Sequence, residues 1–369
     1  MGKAKILILV PSPTARGGIS NYYQVLKGEF GEEVEYFERG ARNWPHHDTK
    51  LQEAARFCRD YYRFLMRVSR RDVSLVQSTT SLSLSTTIRD GIFLKCARMF
   101  GCRTIVFFRG WDYHAEKAIK SRLGLFRFFF GRADAMIVLT ERSRATLKQW
   151  GFNQKIHLET TLVDRDLIRD VDDLSVKAKY ATLAVDKTLN LLYLSRIEER
   201  KGIFDLVRAF KMLCAAKDLS HRFRLRICGD GLAEEDLRVE LENLDPEMVQ
   251  WSGHVTGQQK IDAYQEAHIF VFPSHGEGMP NAVLEAMGFG LPVLCTPVGA
   301  LVDFFEDGIH GKLVPIGDVQ AIYDSILDLS SDHLRLTGTA INNHLYAVQR
   351  FRSDKVCKRI KKIFQEVMR

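Results

Sequence analysis

No apolar run in this chain approaches the roughly 18 residues that a membrane-crossing helix needs, so a helical span is not expected. The first apolar stretch, Lys5 to Val10, is too short for the core of a signal peptide and lacks a small-residue cleavage site; it reads as a strand. A myristoylation signal is missing, because Ile6 stands where Ser or Thr is required. The seven cysteines are odd in number, scattered and never spaced C-x-x-C, which argues for a reduced cytosolic compartment with the thiols as core filler. The G-x-G-x-x-G fingerprint is absent after the first strand, which counts against NAD, and a Walker A loop is absent too. No D-x-D motif or metal-ligand cluster stands in a suitable context, so no metal and no cofactor is expected. No repeat, low-complexity tract or recognised nucleic-acid module is visible, and no nucleic-acid partner is expected.

What is present is length and rhythm. At 369 residues the chain is too long for one ordinary core, and two domains of about 170 to 190 residues are the natural division. Short apolar, β-branched runs at 5–10, 33–37, 73–77, 104–108, 135–139, 156–159, 189–195, 223–228, 248–252, 268–272, 292–296 and 312–314 alternate with helix-length segments. That beat implies an α/β protein with parallel, helix-covered sheets, built twice. The rhythm lapses between Thr160 and Thr188, so 171–187 reads as a linker between domains at 1–170 and 188–345, with 346–369 as a closing helical segment. Charge divides unevenly: residues 1–171 carry +11 and residues 172–369 carry −4, together the formal +7. The first half is therefore suited to something anionic, whether a membrane surface, a nucleic acid or an acidic glycan.

Within residues 272–300, FPSHGEGMPNAVLEAMGFGLPVLCTPVGA, two carboxylates stand eight positions apart. Ile269 to Phe272 reads as a buried strand, Pro273 to Pro280 as a Gly-rich loop, and Asn281 to Met287 as a helix stopped by Gly290 and Pro292. A helix N-terminus reached through small residues offers backbone N–H groups and a positive dipole end, which suits a phosphate; Gly278, Met279, Pro280 and Asn281 form that approach. Glu277 in the loop and Glu285 in the helix would lie on the order of 10 Å apart, roughly the span of a diphosphate with a sugar at each end. Either carboxylate could equally be a cap or a solubilising group.

The segment E-G-M-P-N-A-V-L-E-A-M, with V-G-A at 298–300 and D-G-I-H-G-K-L-V-P at 307–315, resembles the retaining glycosyltransferases of family 4. The resemblance is strong from about Leu189 to Asp318. It implies a GT-B fold, with two Rossmann-like domains facing each other across a cleft and the last helix crossing back to the first domain. It also implies a nucleotide-sugar donor, with Glu285 on its ribose and Glu277 on a hydroxyl of the transferred sugar.

Other residues take candidate roles beside these. Arg196 ends a strand and Lys201 opens the next helix, placing two cations at the carboxyl edge of a parallel sheet, where they can stabilise a leaving diphosphate; the resemblance gives both that role. The turn Gly229-Asp230-Gly231 admits close backbone approach and by resemblance borders the base, though a plain turn explains it nearly as well. Gly17 and Gly18, with Arg16 before them, open a helix after the first strand, and by resemblance face the donor phosphate. In the loop at 109–114, Arg109 stands where the family often has a His near the reacting centre. Asp112 keeps the acid and is a candidate catalytic or acceptor-binding group, Arg109, Trp111 and Tyr113 are candidate acceptor-side groups, and His114 reads as a surface residue.

The arginines at 56, 59, 63, 67 and 70 form a helical stripe, and Lys117 to Arg132 surrounds Phe128, Phe129 and Phe130 with cations. These two stretches, 56–71 and 117–132, suggest peripheral contact with an anionic membrane from the cytoplasmic side. The expected function is transfer of a sugar from a nucleoside diphosphate to a hydroxyl of a glycan or lipid-linked acceptor. The alternatives are a non-catalytic scaffold that binds nucleotide sugar, or a nucleotide-sugar epimerase of the same fold.

Overall fold

The computed structural model describes residues 5–12, 18–40, 49–111, 113–186, 188–216 and 222–369. Arg16, Gly17 and Asp112, and the side chains of Tyr113 and His114, lie outside the described residues. The chain divides into two compact units, the first made of Met1–Thr161 and Ser353–Arg369 and the second of Leu162–Arg352.

In the first unit β1 (Lys5–Pro11), β2 (Val34–Arg39), β3 (Val73–Ser81), β4 (Arg103–Gly110), β5 (Ala135–Val138) and β6 (Lys155–Leu158) form one sheet in the order β2-β1-β3-β4-β5-β6. Every pairing is parallel. Parallel strands need crossovers, supplied by α1 (Gly18–Lys27), α2 (Lys50–Val68), α3 (Leu84–Met99), α4 (Tyr113–Lys120), α5 (Leu123–Phe130) and α6 (Glu141–Gln149). Ile6 to Val10 are buried without alternation, as expected of a central strand covered on both faces.

The second unit repeats the plan. Its strands β7 (Leu189–Leu194), β8 (Phe223–Cys228), β9 (Val249–Trp251), β10 (Ile269–Phe272), β11 (Val293–Cys295) and β12 (Gly311–Leu313) run parallel in the order β12-β11-β10-β7-β8-β9. The helices are α7 (Asp173–Asp186), α8 (Ile203–Ala215), α9 (Glu234–Leu241), α10 (Gly257–Glu266), α11 (Asn281–Gly288), α12 (Val319–Ser331) and α13 (His333–Arg350). The chain then returns to the first unit as α14 (Ser353–Met368), where Arg359 forks onto Glu159 (Nε to Oε1 2.9 Å, Nη2 to Oε2 3.0 Å) and Phe364 stacks on Phe30.

All twelve strands lie where the alternation places them, within a residue or two at most ends. The segment read as a linker differs: most of it is α7, with Val176, Tyr180 and Leu183 buried in the second unit's core. Its spacing of four and three residues is helical, but the polar residues on its other faces dilute the signal. Tyr180 OH donates to the carbonyls of His268 (2.7 Å) and Gly290 (3.0 Å), which ties the helix to the sheet's loops.

Candidate active site

The second sheet reverses its direction of growth between β7 and β10, because β8 and β9 build outward on one side and β11 and β12 on the other. In open α/β sheets such a switch point leaves a crevice at the carboxyl ends of the strands. The loops that leave β7 and β10 there carry Lys201 and Glu277.

These two side chains form an ion pair, and both are nearly buried. Ser274 Oγ donates to the same Glu277 oxygen at 2.9 Å, and Ser274's carbonyl in turn accepts from Thr296 Oγ1 at the end of β11. The loops are held together below the pair: the His275 N–H donates to Arg200 O at 2.9 Å, and Tyr193 OH donates to the carbonyls of Arg196 and Lys201 at 3.3 Å. Gly202 sits at φ +72° with the carbonyl of Pro273 where a Cβ would project. Only glycine meets both demands, so the β7 loop can lie against the β10 loop. His275 Nε2 lies 2.7 Å from Asp205 Oδ2, closing the outer side of the cluster.

Glu285, one turn into α11, is 6 % exposed and held at both oxygens. Lys260 Nζ donates to Oε1 at 2.7 Å and Tyr264 OH to Oε2 at 2.9 Å. Burial first, and then the charge of Glu285, push the Tyr264 phenol well above its ordinary range, so it stays a donor. Pro280 precedes α11 and gives it no side-chain cap. Gly276 and Gly278 have open space where a Cβ would stand, whereas the Gly278 carbonyl accepts from Ala300 N at 2.7 Å. Met279 packs at the edge of the core beneath.

Arg196 is mostly exposed at the rim and pairs with Glu198 at 2.6 Å. The turn at 229–231 is explained by packing: Gly229, at φ +146°, approaches the Ser195 carbonyl, and Gly231 approaches that of Ile197, at distances that exclude a Cβ. Both therefore press the β8 loop against the β7 loop.

In the first unit, Gly18 is the first residue of α1. Arg109, the penultimate residue of β4, is partly buried, with its guanidinium over the Tyr22 ring. Trp111 is not a free stacking platform, since its indole packs on Trp150 and Phe108 and donates to Glu116 at 2.7 Å. The arginine stripe of α2 is divided. Arg56 is buried, and Arg67 forks onto Glu35 (2.8 and 2.6 Å) and reaches Asp72 at 2.7 Å, so neither belongs to the outward face. Arg59, Arg63 and Arg70 remain exposed. Phe130 is buried and Phe129 half-buried, while Phe128 is 60 % exposed beneath Lys95.

Residues 188–332 match the model of the family described as glycosyl transferases group 1. The chain is similar to the capsular polysaccharide biosynthesis glycosyltransferase CapM of Staphylococcus aureus, 24 % identical over 63 % of this chain and 58 % of that protein. It is also similar to the amylovoran biosynthesis glycosyltransferase AmsK of Erwinia amylovora, 32 % identical over 40 % of this chain and 37 % of that one. The chain thus spans less than two thirds of the length of either relative. Among solved structures it resembles HepE of Anabaena in complex with UDP-glucose, with a TM-score of 0.70 at 17 % identity over 98 % of this chain and 99 % of that one. The likeness establishes the GT-B fold.

Lys260, Tyr264 and Ser274 escaped the sequence reading. The first two share a face of α10 at a spacing of four, next to buried Ala263, but nothing in that spacing reveals a carboxylate more than twenty residues on. If Lys260 balances Glu285, Lys260→Met lowers unfolding stability by about 2 to 3 kcal/mol, because it strands a buried carboxylate. Adding Glu285→Gln recovers most of the loss. Urea midpoints of the three proteins check this; a double variant no more stable than Lys260→Met contradicts the pairing.

Proposed function

We propose that the protein is a retaining glycosyltransferase that moves a sugar from a nucleoside diphosphate to a hydroxyl of a cell-envelope or lipid-linked glycan. The observation that carries this reading is the pair of lysine-held carboxylates, Glu277 and Glu285, on one loop and helix at the switch point of the second sheet. The names of CapM and AmsK support polysaccharide synthesis, and the UDP-glucose bound to HepE supports a nucleotide-sugar donor.

The chemistry follows from the contacts. An ammonium has three donors. Glu277 takes one from Lys201, which leaves others for the phosphate, while the guanidinium of Arg196 at the rim adds charge. The first turn of α11 contributes its dipole at the same place. Fixed positive groups stabilise the charge that develops as the bond between the anomeric carbon and the phosphate oxygen breaks, without reorganising and in the place a metal ion takes elsewhere. Glu277, clamped by Lys201 and Ser274, orients a sugar hydroxyl, and Glu285 accepts from the ribose. The acceptor oxygen attacks the face from which the diphosphate departs and gives its proton to the departing phosphate oxygen, so configuration is retained. The second unit takes the donor and the first the acceptor.

Lys201→Ala is expected to lower kcat by about 100-fold or more, equivalent to about 3 kcal/mol of transition-state stabilisation. Adding Glu277→Gln, which removes the stranded carboxylate, recovers stability but not turnover. Release of diphosphate in the presence of acceptor is the measurement, and undiminished release by Lys201→Ala contradicts the assignment.

We also propose that the first unit rests on an anionic membrane surface. Exposed Tyr62 and Met66 share α2 with exposed Arg59 and Arg63, with exposed Arg70 just beyond its end, and exposed Phe128 on α5 follows exposed Lys120 and Arg122 along the chain. Aromatic and apolar side chains between cations match the interface of an anionic bilayer. Changing Arg59, Arg63 and Arg70 to Glu is expected to release the protein from phosphatidylglycerol vesicles in a sedimentation assay. Equal sedimentation of variant and wild type leaves these helices as an ordinary solvated face.

A further inference from the structure

Arg109 is the extra residue of a bulge at the carboxyl end of β4: Thr80 of β3 pairs with Phe108 and Ser81 with Gly110, so Arg109 has no partner across the ladder. A bulge re-aims the side chain it carries. The guanidinium carbon lies 3.6 Å from the centroid of the Tyr22 ring, and Nη2 donates to Thr161 Oγ1 at 3.1 Å. Nε and Nη1 are sealed from solvent and, among the described residues, have no hydrogen-bond partner. Since Nη2 is shared by both edges of the planar fork, each edge pairs one met donor with one unmet donor.

Nearby charge does not answer it. Glu159, on the loop that leaves β6, is occupied by Arg359, and among the described residues no carboxylate lies within ion-pair distance of Arg109. Arg39 has Asp90 at 2.9 Å, Arg67 has Glu35 and Asp72, and Lys201 has Glu277, whereas the buried Lys179 amine has the Tyr264 carbonyl at 3.1 Å. Burial also draws the Arg109 guanidinium below its ordinary pKa, which reflects the cost of holding that charge out of water. Below it the sheet is polar: Gln77 and Thr79 of β3 are buried, Gln77 Nε2 donates to Tyr23 OH at 2.8 Å, and that hydroxyl shares a 2.6 Å bond with Thr79 Oγ1. An uncompensated buried guanidinium is a cost to folding. A forked, aromatic-backed guanidinium with two unmet donors is suited to a planar or tetrahedral oxyanion.

We infer that Arg109 is the anion-reading residue of the first unit, and that the ligand this unit accepts carries a carboxylate or a phosphate. The inference rests on the reading of the protein as a glycosyltransferase whose acceptor docks on the first unit; it makes that acceptor acidic, through either a hexuronosyl residue or a phosphate-linked carrier.

The test uses the full chain, saturated with whichever nucleoside diphosphate binds it best so that the second unit is occupied. Wild type, Arg109→Met and Arg109→Lys are titrated with two matched pairs of probes: methyl glucuronide against methyl glucoside, and geranyl diphosphate against geraniol. In at least one pair the wild type is expected to bind the anion tenfold or more tightly than its neutral partner. That preference collapses to within twofold in Arg109→Met and is partly kept in Arg109→Lys. The pair that discriminates identifies the source of the anion. Without ligand, Arg109→Met is expected to melt at or above the wild-type temperature, which a structural prop would not do. No preference in either pair, or a preference that survives in Arg109→Met, overturns the inference. If nucleotide binding persists in that case, the glycosyltransferase reading stands; if no nucleotide binds, that reading falls first.

Discussion

The Lys201–Glu277 ion pair joins the loop after β7 to the loop after β10, and the remaining geometry at this edge of the second sheet is arranged around that junction. Two charged groups this far out of water are stable only when each answers the other, and loss of one partner from such a pair typically costs about 3 to 5 kcal/mol. Close backbone approach makes the pairing possible. Gly202 lets the first loop lie on the Pro273 carbonyl, and Gly229 lets the β8 loop lie on Ser195. The crevice at the switch point is therefore preorganised by backbone packing, and the charges are fixed before a ligand arrives. Preorganisation of this kind is what makes electrostatic stabilisation of a leaving group effective.

The same logic recurs at Glu285, where Lys260 and Tyr264 hold both carboxylate oxygens from a neighbouring helix. Each carboxylate thus has two hydrogen bonds already committed, which narrows the geometry of any further donor it can accept from. The first unit solves its charges differently. Its surface helices carry cations that meet solvent, Arg67 and Arg39 are answered by carboxylates of other elements, and Arg109 is held on an aromatic ring with donors to spare. The two units therefore present distinct chemistries on related architectures.

Much of this was legible in the chain. The twelve strands follow from apolar runs of four to eight residues, because strands buried on both faces leave a composition signal that survives without alternation. Glu277, Glu285 and Lys201 were selected by loop and helix context, and the structure brings Lys201 and Glu277 into contact. What stayed hidden was tertiary. The periodicity of α2 shows arginines at helical spacing but not that Arg67 meets Glu35 from β2. Likewise Trp111 reads as an exposed aromatic until Trp150, far along the chain, packs against it. The helix α7 was missed because its buried positions are few and its remaining faces polar. In each case a partner distant in sequence decides the role, and local spacing carries no trace of it.

The most direct test of the account is thermal stabilisation of the whole chain by a panel of nucleoside diphosphates and nucleotide sugars, repeated with Glu285→Ala. The account predicts an upward shift in melting temperature with one base class, lost or sharply reduced in the variant, because the ribose loses its carboxylate. No shift with any member of the panel, or an identical shift in Glu285→Ala, contradicts the placement of a nucleotide-sugar site at the switch point of the second sheet.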